Sequence, residues 1–294
     1  MNIRILYRTW TGSNDKPRPP WYSLAACLLS LHEAAAGSPY STSFTFVADG
    51  GIPPELAEHV RPEDTVLRIT AGTAAASLRA TVAAAVTSAR TAPDDLFWLC
   101  EDDYLYRPDA FAHLARAVER IPEADYFSIF CPRPSGWSLS HPSQPNRHFP
   151  EIPSGPRLVE PLRWRRFPGT TSTFGVRGRA LLRDAGLITL GTRPGAPFDG
   201  ATWHMLQGAR PYSWRHLFRD IDPYLTHRGL AKIVGKPVMR VALNVAAIRV
   251  ARHPRMLVVP DRNLAVHVEI DEVDGDAEWE ALSKDVVQRH TKPA

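Results

Sequence analysis

The chain has 294 residues, 44% of them hydrophobic and 22% charged, which excludes a disordered chain, a collagen-like fibre and a disulfide-stapled mini-protein. Its 35 basic and 31 acidic residues leave a net charge of +4, too mild to point to nucleic acid as a partner.

Taken in order, the apolar run 3–7 predicts a buried first strand, and residues 11–20, with Gly12, Asn14, Asp15 and three prolines, predict a loop. Residues 23–35 have helical apolar spacing and stop at Gly37 and Pro39. A second strand follows over 43–48, turned by Asp49-Gly50-Gly51, then a short helix over 55–60, a third strand over 65–69 and an alanine-rich helix over 74–90. Leu96-Phe97-Trp98-Leu99-Cys100 reads as a fourth strand, Pro108 opens a helix to about residue 121, and 126–130 is a further strand. Strands alternating with helices predict an α/β fold with a mostly parallel sheet covered on both faces.

The second half is less regular. Residues 131–155 hold six prolines and read as a long loop, plausible as a lid over a site. Two strands, 157–167 and 170–176, read as an antiparallel pair. A helix over 179–185 is expected to stop at Gly186, and another starts near Gly200. Residues 229–252 form a basic amphipathic helix containing Pro237, with Lys232, Lys236 and Arg240 spaced along one face. Short strands over 256–259 and 264–268 precede a mixed-charge tail.

Cys27, Cys100 and Cys131 are odd in number and lack CxxC spacing, so buried reduced thiols are expected rather than bridges or a zinc site. There is no signal-peptide-like start and no run of about 18 apolar residues. The expectation is a cytoplasmic protein, at most peripheral to a membrane through 229–252.

Glu101-Asp102-Asp103, directly after the fourth strand, is the most informative triplet. It belongs at the carboxyl end of that strand, where open α/β sheets bind ligands. Extended backbone points Glu101 and Asp103 one way and Asp102 the other. Neighbouring carboxylates repel, and a divalent cation relieves this; a polar turn capping the next helix reads equally well.

The stretch WLCEDDYLYRPDAF resembles the DxD region of GT-A glycosyltransferases, in the broad family-2-like group. Further segments fall in that family's order: Arg4 to Trp10, Phe46 to Gly50, Gly72 to Arg79, Gly169 to Phe174, and Leu264 to Glu269. Glu101 departs from the usual Asp. The resemblance implies a GT-A fold, Rossmann-like, with a small antiparallel sheet on the acceptor side and a helical C-terminal extension. It implies one catalytic domain over 1–270, comprising a nucleotide-sugar half (1–103), an acceptor half (104–228) and a segment (229–270) that returns a histidine, with 271–294 as a tail.

Carried over by residue, the resemblance implies Asp103 and His267 as ligands of Mn²⁺ or Mg²⁺. Glu101 and Asp102 would lie at the ribose or reach the metal through water. Asp49 would meet the nucleobase, Arg8 and Thr9 the nucleotide, and Arg79 the diphosphate. The partners implied are a nucleotide-sugar donor, UDP-linked first and GDP- or dTDP-linked next, and an acceptor hydroxyl. For an inverting transfer the general base would be Asp199, which equally suits a helix N-cap; Glu160 and Asp184 are lesser choices. Trp137, His141, His148, Trp164 and Trp203 are candidates for a sugar-stacking platform. Two other readings remain: a metal-dependent nucleotidyltransferase, disfavoured because 11–20 lacks a Gly- and Lys-rich phosphate loop, and a non-enzymatic membrane- or partner-binding module using 229–252.

Overall fold

The computed structural model describes residues 1–12, 16–130, 157–193, 199–213, 217, 230–269, 273 and 276–291, with backbone alone at 230–234 and 236. Strands β1 (Ile3–Trp10), β2 (Thr42–Asp49), β3 (Thr65–Ile69) and β4 (Leu96–Glu101) pair in parallel in the order β3-β2-β1-β4. Parallel neighbours need crossovers, supplied by α1 (Leu24–Ala36), α2 (Pro54–Ala57) and α3 (Ala74–Ala89). Ser23 caps α1 by accepting from the Ala26 amide at 3.2 Å, and Thr73 caps α3 through Ala76 in the same way.

Beyond β4 the sheet continues through β9 (Phe174–Arg177), β6 (Tyr126–Phe127), β10 (Leu257–Pro260), β8 (Leu162–Arg166) and β7 (Arg157–Val159). Only β8 and β9 run against the rest. The sheet is therefore large, mixed and mostly parallel, as the alternation of elements predicts. A small antiparallel sheet joins β5 (Tyr104–Tyr106) to β11 (Ala265–His267).

Side-chain alternation divides the core. Ile3, Ile5, Tyr7, Leu96, Trp98 and Cys100 face one layer, with α1 and α4 (Ala110–Arg120). Leu6, Phe97 and Leu99 face the other, with α3 and α5 (Gly178–Gly191). Because both faces are covered, β4 reads as a continuous apolar run up to Cys100, and β1 as an apolar one up to Tyr7 interrupted by Arg4.

Several expectations change. Residues 157–167 are a hairpin, β7 and β8, because the chain turns between Val159 and Leu162. Helix α5 runs through Gly186 to Gly191, since Leu181, Asp184 and Ile188 keep one face buried and nothing crowds that glycine. The tail holds α8 (Ala277–Thr291), which covers α1 and buries Trp279 under the Arg107 guanidinium. Of the proposed stacking residues, Trp164 and Trp203 are core, while Trp137, His141 and His148, like Cys131 and the loop 131–155, lie outside the described residues. Cys27 and Cys100 are buried free thiols.

Helices α6 (Asp199–Leu206) and α7 (Leu230–Val250) pack through Ala201 and Met205 against Leu243, Ala246 and Ala247. The basic face expected on α7 is not a solvated one at Arg240, which lies over the Tyr212 ring and donates to the Leu217 carbonyl at 3.3 Å. Among the described residues, no helix is long and apolar enough to cross a membrane.

Candidate active site

The carboxyl ends of β1, β2 and β4 open onto a cleft of about 390 Å³ lined by Arg8, Thr9, Asp49, Glu101, Asp102 and Asp103, together with Trp10, Lys16 and the start of α3. That is a size suited to a small molecule. Register sets the arrangement: Arg8 lies opposite Val47 on one side and Glu101 on the other, and Trp10 opposite Asp49. The amino end of α3 faces the same space through Thr73, Ala74 and Ser77, and the positive end of a helix dipole there favours an anion.

The triplet does not alternate as extended backbone would. β4 ends at Glu101, and 102–103 form a turn into β5, so all three acids reach the cleft. Each has its own partner. Arg8, itself 7% exposed, donates to Glu101 at 2.5 Å and to the Ala74 carbonyl at 3.0 Å. Thr9 Oγ1 donates to Asp102 at 2.8 Å. Burial first, then the charge of Asp103, raises the pKa of Asp102.

Asp103 belongs to a different cluster. β11 pairs with β5 so that His267 lies opposite Tyr104, and the Val268 amide donates to the Asp103 carbonyl at 2.9 Å. His267 Nε2 then lies 3.0 Å from Asp103 Oδ2 and 3.3 Å from Glu269 Oε1, its ring stacked on Tyr104 at 4.8 Å. One ligand atom from each of Asp103, His267 and Glu269 fits within 4.8 Å. Burial works to raise the Asp103 pKa, but His267 and Arg18 outweigh it and hold that carboxyl well below the usual range. Burial likewise opposes a charge on His267, and Asp103 prevails to raise its pKa.

Two oxygen donors and one imidazole suit a divalent transition ion such as Mn²⁺ better than Mg²⁺, which favours oxygen alone. Asp103 Oδ1 is buried with no hydrogen-bond partner among the described residues, an orphaned acceptor that a cation would satisfy. The cluster also draws in two cations of the chain. Arg18 Nη2 donates to Asp103 Oδ2 at 2.7 Å and Nη1 to the Val268 carbonyl, while Lys16 donates to Glu269.

A third group stands beyond β4. The segment before β9 ties the pieces together with hydroxyls: Thr173 Oγ1 accepts from the Glu101 amide at 3.1 Å, Thr171 Oγ1 lies 2.6 Å from the Tyr104 hydroxyl, and Ser172 Oγ donates to Asp199 Oδ1 at 3.2 Å. Asp199, in the first turn of α6, is partly exposed yet set deep among protein atoms. Burial, reinforced by the charge of Glu101, pushes its pKa up to about 7.

Three expected site residues have other duties. Asp49 lines the cleft, but its carboxylate accepts from the amides of Ala71 at 2.7 Å and Gly72 at 3.1 Å, so it fixes the loop after β3. Arg79 is not among the residues lining the cleft and donates to Thr192 Oγ1 at 3.0 Å. Asp184 is fully buried, held by Tyr126 at 3.0 Å and Arg255 at 2.9 Å. Glu160 is exposed at the outer hairpin.

Sequence reading did not single out Lys16, Arg18, Glu269 or the hydroxyls of Thr171, Ser172 and Thr173. Glu269 carried a usable signal, being two residues beyond His267 and so on the same side of an extended chain.

No family profile matches this chain, and no curated protein sequence matches it. Among solved structures, 38 chains match. They include a CMP:2-keto-3-deoxy-manno-octonic acid synthetase complexed with CTP, at 12% identity over 64% of this chain and 78% of that one, with a TM-score of 0.35. A 4-diphosphocytidyl-2C-methyl-D-erythritol synthase matches at 12% identity over 81% and 98%, TM-score 0.36. Mouse xyloside xylosyltransferase 1, apo form, matches at 12% identity over 70% and 74%, TM-score 0.35.

Proposed function

We propose that this protein is a metal-dependent glycosyltransferase of the GT-A type, which moves a sugar from a nucleotide-diphosphate donor to an acceptor hydroxyl with inversion. The observation that carries the reading is the contrast between two carboxyl groups, one on each side of Glu101. Asp103, with His267 and Glu269, is held ionised, whereas Asp199 has its pKa raised toward neutrality. Carboxyls whose environments push their pKa values apart are suited to different roles.

In this reading the nucleotide occupies the cleft, with Arg8 and Thr9 at its floor and the amino end of α3 facing its phosphates. Asp103, His267 and Glu269 would hold Mn²⁺, or Mg²⁺ less well, which would offset charge on the diphosphate as it departs. Arg18 and Lys16 stand where they add positive charge on the same side. Asp199 takes the acceptor hydroxyl's proton as that oxygen bonds to the sugar's anomeric carbon. The bond from that carbon to the diphosphate oxygen breaks, and the nucleoside diphosphate leaves with the bonding pair.

Nucleotidyl transfer to a sugar hydroxyl would use similar metal, phosphate and base chemistry, with attack at phosphorus and release of pyrophosphate in place of attack at the anomeric carbon. A thermal-shift screen of UDP, GDP and dTDP with Mn²⁺ or Mg²⁺ identifies the donor base, since a ligand that binds the folded state raises its melting temperature. Product analysis then separates the chemistries. Release of nucleoside diphosphate from a sugar nucleotide supports glycosyl transfer, and release of pyrophosphate from a nucleoside triphosphate overturns it. Asp103→Asn is expected to abolish the metal-dependent part of the thermal shift; retention of normal donor binding and turnover with Mn²⁺ would refute the assignment.

A further inference from the structure

Helix α7 is apolar on two sides, and among the described residues only one of them is packed against another element. Leu243, Ala246 and Ala247 pack on α6. On the other side Val238, Val241, Val245 and Ile248 are 56%, 42%, 42% and 58% exposed. Their spacing of three, four and three residues makes one stripe on an α-helix, about 15 Å long at 1.5 Å per residue. A run of four exposed β-branched aliphatics on one face is not ordinary surface, where such residues are scattered singly.

Along this stretch of the chain the charge has one sign. No Asp or Glu occurs between residues 223 and 260, while Arg249 and Arg252 sit exposed at the stripe's carboxyl end and form no ion pair among the described residues. A long arginine stem beside an aliphatic stripe can lie along apolar matter with its head in a polar, anionic layer. A second copy of this chain is a poor occupant, because two such faces would bring cation against cation with no acid in either. The stripe also lacks hydrogen-bonding side chains other than arginine, so it has little with which to select a particular protein sequence.

We infer that the Val238–Ile248 face of α7, with Arg249 and Arg252, is a docking surface for an anionic phospholipid bilayer, in whose plane the helix lies. This does not depend on the transfer chemistry. It also differs from the basic face that spacing suggested, since Arg240 is turned inward onto Tyr212.

Flotation of the full chain with vesicles of equal parts phosphatidylcholine and phosphatidylglycerol, against pure phosphatidylcholine, tests it. Co-flotation is expected with the anionic vesicles only, falling as salt rises. Arg249→Ser with Arg252→Ser should weaken it by about 30-fold, on the usual strength of two cations near such a surface. Val241→Asp with Ile248→Asp should abolish it; circular dichroism and the melting temperature verify that this variant folds, and the arginine variant stands as the test if it does not. Absence of wild-type flotation, equal flotation with neutral vesicles, or binding that survives both folded variants would overturn the inference. So would a wild-type dimer in light scattering that the aspartate variant dissociates while vesicles capture nothing.

Discussion

Arg18 Nη2 lies 2.7 Å from Asp103 Oδ2, while the other oxygen of the same buried carboxylate has no hydrogen-bond partner among the described residues. Arginine cannot shed its charge, so it competes directly with a metal for Asp103 and is equally fit to pair with a diphosphate. Arg18→Ala should therefore have opposite effects on two ligands. Mn²⁺ affinity without nucleotide should rise about tenfold, a coupling of ordinary size, and nucleoside diphosphate affinity should fall. Titration calorimetry with each ligand reads both. Unchanged Mn²⁺ binding would mean that Arg18 and the metal do not share Asp103.

Asp199 has a measurable pH signature. In its proposed role as base Asp199 must be ionised to accept a proton, and burial together with Glu101 pushes this carboxyl up to about 7. The turnover number is expected to climb as pH rises through 7 and to level off about one unit above it. Asp199→Asn should be slower by about 10²- to 10⁴-fold and lose that rise. Linkage supplies an independent check. The folded carboxyl holds its proton more tightly than an unfolded one, so between pH 4 and 7 the unfolded state ionises first and the wild type loses stability. Asp199→Asn escapes that loss, so it should gain on the wild type across this window in urea unfolding. A variant that tracks the wild type at every pH would show an unperturbed carboxyl.

How much of this site the sequence displays depends on how local each contact is. Leu96 to Cys100 followed by three acids marks a strand end above a cleft, because strand length, burial and the sudden charge lie within eight residues. His267 was reached only through a resemblance of order and spacing, since its meeting with Asp103 depends on β11 pairing with β5 across 164 residues. Arg18 left no trace, as a proline-rich loop does not announce where its side chains land. Asp49 and Arg79 show the reverse problem: residue type suited them to a ligand, but the amides of Ala71 and Gly72 and the hydroxyl of Thr192 engage them. Strand Phe174–Arg177 is legible, yet its antiparallel place between β4 and β6, which brings Ser172 to Asp199, is decided by pairing and not by composition.

Asp184 resembles a catalytic acid in isolation and should behave as a structural one. It is fully buried and receives Tyr126 from β6, Arg183 from its own helix and Arg255 from the segment before β10. Removing it leaves Arg255, whose side chain is 11% exposed, without its carboxylate. Asp184→Ala should cost about 3–5 kcal/mol, the usual result of breaking a buried ion pair from one side. Urea unfolding measures the loss. The residual folded protein should keep the wild-type pH profile of the proposed activity, which separates Asp184 from Asp199.

Two glycines should respond to the same substitution with opposite signs. Gly208 ends α6 at φ +76, where the left-handed conformation lets the Ala209 amide reach back to the His204 carbonyl at 2.8 Å. A Cβ there would stand 2.6 Å from the Cα of Ala251, just past α7, which cannot move without disturbing that helix. Gly208→Ala thus meets both backbone strain and a backbone clash, and should destabilise by about 1–3 kcal/mol or more. Gly186 lies inside α5 with open space around its Cα. Alanine there reduces the freedom of the unfolded chain and suits the helix, so Gly186→Ala should stabilise by about 0.5–1 kcal/mol. Melting temperatures should move down for the first and up for the second. A fall at Gly186 would mean that α5 does not continue to Gly191, and the shorter helix ending at residue 185 would then stand.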